Sequence, residues 1–105
     1  MLINAKIEKV GLYYNGHYKH YSLRIELITR GGGASIELPL DRTEELMEMF
    51  EDDLYPEDGC FVGDLKGVPV VLKLDGDNEY QGRIVAIGNI LSNEDEMLYI
   101  DQKSE

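Results

Sequence analysis

The chain is expected to fold as α+β: an antiparallel sheet or small barrel of six to seven strands, with one amphipathic acidic helix. Three observations predict this. Runs of alternating apolar residues fill the first 40 positions and return after residue 60. A single stretch between them carries apolar residues at helical spacing. Turn-forming Asn-Gly, Gly-Gly and Asp-Gly steps separate the runs.

The elements follow in order. "AKIEKVGLYY" alternates loosely, with Ile7, Lys9 and Gly11 set against Lys6, Glu8 and Val10. Asn15-Gly16 predicts a hairpin turn, since both residues tolerate positive φ. "YSLRIELIT" alternates cleanly, with Leu23, Ile25 and Leu27 on one face. "RGGG" turns the chain, and Ile36, Leu38 and Leu40 mark the returning strand. Pro39 places that strand at an edge or ends it. A helix is expected over residues 42–54. Asp41 would be its N-cap, with Glu44 completing a capping box. Leu46, Met49, Phe50 and Leu54 form its apolar stripe, and Pro56 and Gly59 stop it. "CFVGDL" is a short apolar run. "VPVVLKL" and "EYQGRIVAIGNIL" are strands joined by "DGDN", with Gly82 and Gly88 as bends, and "MLYID" closes the fold.

The 105 residues suit a single domain, 1–105, with 43% hydrophobic and 30% charged content. No run of 18 apolar residues predicts a membrane span, and the N-terminus lacks the basic-then-apolar pattern of a signal peptide. The lone Cys60 excludes an internal disulfide and a cysteine metal cluster, and it fits a reducing, cytoplasmic setting. A net charge of −11 argues against direct binding to nucleic acid, which needs clustered Lys and Arg.

Familiar chemistry is hard to place on these residues. His17 and His20 lie within a tyrosine cluster (Tyr13, Tyr14, Tyr18, Tyr21), but a zinc site needs further ligands and neither Cys nor a third His is at hand. Asp75, Asp77 and Glu79 open like a calcium loop, but Tyr80 stands at the glycine position and Ala86 at the final glutamate. "RGGGAS" lacks the spacing of a phosphate-binding loop and is followed by a strand. The serines carry no nucleophile signature, and Cys60 sits in an apolar run. No cofactor, metal or enzymatic activity is expected.

The acidic segment is different. From Asp41 to Asp58 there are nine acids and one base, Arg42, a net −8 within a total of −11. Residues 1–40 are net +2 and residues 59–105 net −5. Glu44 and Glu45 suit the start of a helix, but Glu51, Asp52 and Asp53 lie at its negative end, where each acid costs about 0.3–1 kcal/mol at low salt. Glu44–Glu48 and Glu48–Asp52 are like-charge pairs four apart, each costing a few tenths of a kcal/mol. Solubility accounts for such acids in general. A charged docking face accounts for their concentration, since rows of carboxylates can stand in for phosphates and steer a basic partner.

Two stretches resemble known families. "LKGVPVVLKLDGDNEYQGRIVAI" resembles the first half of an Sm-like barrel through Leu65, Gly67, Val70, Leu72, Leu74, Tyr80, Gly82 and Ile84. Gly88 stands where that family's RNA-pocket Asp falls, so the resemblance implies barrel geometry and not RNA binding. Across most of the chain, the first strand, the Gly-rich loop, the short acidic helix, Asp64-Leu65-Lys66-Gly67 with Val70, and Ile87-Gly88 resemble small phage and prophage proteins. Some proteins of that kind block host defences, by binding a CRISPR effector or by sequestering a signalling nucleotide. The aromatic that often follows the Gly-rich loop there is missing here.

The expectation is therefore a non-enzymatic acidic binding protein, an anti-CRISPR-like inhibitor acting by nucleic-acid mimicry on a basic, nucleic-acid-binding protein. Glu44, Glu45, Glu48, Glu51, Asp52 and Asp53 would carry the charge, and Tyr13, Tyr14, Tyr18 and Tyr21 would anchor the partner. One alternative is an oligomeric small-nucleotide binder using Arg30, Gly31, Gly32, Gly33 and Tyr80. Another is an accessory phage structural protein. Either binding reading leaves room for a homo-oligomer.

Overall fold

The computed structural model describes residues 1–54, 56–76, 82–91, 93 and 96–100, the side chains of Asp53 and Pro56 excepted. Six strands form one antiparallel sheet: β1 (Leu2–Asn15), β2 (His20–Thr29), β3 (Gly32–Leu38), β4 (Pro69–Asp75), β5 (Arg83–Asn89) and β6 (Leu98–Tyr99). Their spatial order is β3-β2-β1-β4-β5-β6, an open sheet rather than a closed barrel. β3 is an edge strand and stops at Leu38, the two properties Pro39 predicts. "CFVGDL" forms a short 3-10 turn at Val62–Leu65, with Leu65 buried and Phe61 left exposed. The calcium-like residues Asp77 and Glu79, together with Tyr80, lie outside the described residues.

Register explains the core. Ile25 faces Val10 on β1 and Ile36 on β3, and Leu72 faces Ile3 and Ile87. β1 alternates loosely because a bulge at Glu8 interrupts its register with β2. The extra residue brings Ile7 and Val10 to the same buried face, although they lie three apart. Sequence alternation alone places them on opposite faces.

The turns also differ in detail from expectation. The first hairpin closes through a four-residue loop, Gly16 to Lys19, since Asn15 pairs with His20. The Asn15 Oδ1 accepts the amides of His17 and Tyr18, at 3.0 and 3.3 Å. Positive φ falls on Lys19 (φ 54), not on Asn15 or Gly16. The second hairpin turns at Arg30-Gly31. There Thr29 Oγ1 accepts the Gly31 amide and donates to the Gly32 carbonyl, and Gly32 takes φ 129, which only glycine adopts easily.

The helical layer comprises α1 (Thr43–Met49) and α2 (Glu51–Leu54), with Phe50 between them at φ −109, ψ 19. The Phe50 amide bonds back to Met47, tightening the last turn of α1, and the Leu54 amide then returns to Phe50. Leu46 and Phe50 are fully buried against the sheet, and Met49 and Leu54 pack beside them. Each such burial contributes about 1.5–3 kcal/mol. Asp41 is not the N-cap. A 3-10 turn occupies Leu40–Arg42, so the helix starts later, Arg42 takes the cap position, and no side chain caps it.

Arg42, the one base of the acidic segment, is only 8% exposed. Its guanidinium donates to the carbonyls of Tyr99 and Ile100 and pairs with Glu45 at 3.3 Å. It lies just after β3 and reaches the end of β6. One side chain thus bridges the two edges of the open sheet.

Candidate functional site: an acidic layer and a tyrosine hairpin

Glu44, Glu45 and Glu48 lie on α1, and Glu51 and Asp52 on α2, all exposed. The apolar stripe holds the other side of these turns, so the carboxylates point away from the core. Glu45 is neutralised by Arg42. Glu44, Glu48, Glu51 and Asp52 have no ion pair among the described residues. The Asp53 side chain lies outside the described residues. Five carboxylates are therefore placed on one layer, and four of them are free of an internal cation.

The tyrosines lie elsewhere, at the far end of the β1–β2 hairpin. Tyr14 and Tyr21 face each other in register, their ring centroids 4.7 Å apart. Tyr18 sits in the loop, 4.8 Å from the His17 ring and 6.1 Å from that of His20. Tyr13 projects from the opposite face and stacks under the Arg24 guanidinium, 4.7 Å from its centroid. One groove joins the hairpin to the start of the acidic segment. This open groove of about 480 Å³ is lined by Tyr21, His20, Glu37, Leu40 and Asp41. It joins one tyrosine to the first acid; Glu48, Glu51 and Asp52 do not line it.

Sequence reasoning missed Arg24. It pairs with Glu37 at 3.4 Å and Glu26 at 3.6 Å, on the sheet face opposite the core. Its buried Nε has the charge of Glu26 nearby but no hydrogen bond. The clean alternation of β2 places Arg24 on the outer face, but the cross-strand partners Tyr13 and Glu37 depend on register. A small hollow of about 150 Å³ adjoins it, floored by Gly11.

Gly31 and Gly33 line a separate cavity of about 290 Å³ with Ile3, Thr29, Leu74 and Ile84. Arg30 is exposed and does not line it, and Tyr80 lies outside the described residues. The structure therefore brings two of the five nucleotide-site candidates to one cavity. Among the described residues, no three His, Cys, Asp or Glu side chains are grouped so as to hold a metal ion. No helix among them is long and apolar enough to cross a membrane.

No protein-family model, curated protein or solved structure matches the chain.

Proposed function

We propose that the protein is a non-catalytic binding module of the phage counter-defence kind, working in the cytoplasm. Its acidic helical layer takes the place of nucleic acid on a basic, nucleic-acid-handling partner. The observation that carries this reading is the set Glu44, Glu48, Glu51 and Asp52: exposed, free of ion pairs among the described residues, and mounted on turns anchored by Leu46 and Phe50. A fixed scaffold matters, because charges held in place lose little entropy on docking. Concentrated negative charge also speeds encounter with a basic groove. The test is competition. A partner captured on the tagged protein should be released by a nucleic-acid oligonucleotide and by rising salt. A partner indifferent to both would sink the proposal.

A second reading rests on the cavity beside Gly31 and Gly33. Ile3, Leu74 and Ile84 in its lining offer apolar contact to a flat base, and the exposed Arg30 nearby suits a phosphate. On that reading the protein sequesters a small nucleotide. Thermal shift with cyclic and linear nucleotides separates the two, since only a bound nucleotide raises the melting temperature by mass action.

A further inference from the structure

The hairpin end breaks the charge pattern of the rest of the molecule. From Leu12 to Leu23 there is one charged side chain, Lys19, in a chain that is 30% charged. Five apolar or aromatic side chains are exposed there: Leu12 (66%), Tyr13 (36%), Tyr14 (51%), Tyr18 (70%) and Tyr21 (54%). Leu12, Tyr14 and Tyr21 continue the face that carries Val10 and Leu23 into the core, but they lie past it. The backbone is open as well. β1 pairs with β4 only from Leu2 to Lys6, and Ile7 bonds to Gly67 and Val68. From Gly11 to Asn15, β1 pairs with β2 alone among the described residues.

We propose that this hairpin is the docking surface for a second copy of the chain, hairpin against hairpin in a closed two-fold pair. Charge selects the occupant. Two copies each carrying −11 repel as wholes, most strongly through their acidic segments, and the nearly uncharged hairpin is where they can approach. Composition agrees, since interface cores are depleted of charge and enriched in tyrosine. A two-fold pair needs a self-complementary patch, and an antiparallel strand edge provides one. The area is adequate for a modest dimer. At 150–250 Å² per aromatic ring, Leu12, Tyr14, Tyr18 and Tyr21 expose roughly 450 Å², Tyr13 lying on the opposite face. A standard interface takes about 800 Å² per partner, and His17, His20 and the hairpin backbone supply more.

The experiment is sedimentation equilibrium of the full chain over a range of concentrations and at low and high salt. The wild type should form dimers that tighten as salt screens the acidic repulsion. Leu12→Lys and Tyr18→Lys each place two like charges in the pair and should weaken it at least about tenfold. Both side chains are exposed, so circular dichroism and melting temperature should stay unchanged. A wild type that remains monomeric, or a dimer that survives both variants or dissociates in salt, overturns the proposal. So does a monomer whose hairpin variants lose a captured foreign partner, which would assign the surface to that partner.

Discussion

The helical layer and the β1–β2 hairpin follow opposite rules. Between Asp41 and Asp58 half the residues are acids; between Lys9 and Ile25 none is. The layer hides its apolar side chains, with Leu46 and Phe50 fully buried, while the hairpin end displays Leu12 and four tyrosines. The difference teaches where each surface gets its rigidity. The carboxylates are fixed indirectly, by apolar residues on the far side of the same turns. The tyrosines are fixed by the strand ladder and by each other. The two surfaces should therefore respond oppositely to salt: contacts of the acidic layer weaken as it rises, and contacts of the hairpin strengthen.

The severest way to break the comparison is to remove the anchor of one side. Phe50→Ala should cost about 3–5 kcal/mol, because the ring is fully buried and leaves a cavity. Urea unfolding measures it, and a loss below about 1 kcal/mol would mean that the layer is not held by this ring. The bridge comes next. Arg42→Met keeps a long apolar stem but strips the donors from the Tyr99 and Ile100 carbonyls, at a cost of about 2–3 kcal/mol. Glu45→Gln should change stability by less than about 1 kcal/mol, because that carboxylate is half exposed. If the two changes cost the same, the guanidinium serves the ion pair and not the sheet edges.

Much of this architecture was legible in the sequence, for reasons particular residues make plain. Leu23, Ile25 and Leu27 alternate without interruption, and β2 is where alternation predicts it. Leu46 and Phe50 recur at helical spacing and are both fully buried. What escaped depends on distance. Nothing near Arg42 announces that it is buried, because the two carbonyls it bonds are 57 and 58 residues away. Glu8 looks like an ordinary outward residue until the partner strand shows the bulge. The acids of the candidate site were readable as a cluster, since charge needs no tertiary information. Their separation from the tyrosines was not, because it depends on how far the β1–β2 hairpin runs past the helix.

A smaller effect sharpens the boundary with the glycine loop. Gly32→Ala should cost about 1–2 kcal/mol, since φ 129 is strained for any side chain although open space surrounds the position. Melting temperature checks it. A loss of that size assigns Gly32 to the turn; an unchanged melting temperature would show that the loop does not need this conformation.

The most direct measurement pairs stability with binding in one variant, Glu48→Lys with Glu51→Lys and Asp52→Lys. These side chains are exposed, so the fold should survive. Relief of like-charge repulsion and of acids at the negative end of the helix should leave stability unchanged or raise it by about 1 kcal/mol. Affinity for the basic partner, measured at low salt by titration calorimetry, should disappear. A protein that is at least as stable yet no longer binds is the result expected of a functional acidic face. Full affinity in the triple variant would contradict it and leave the carboxylates with solubility as their role.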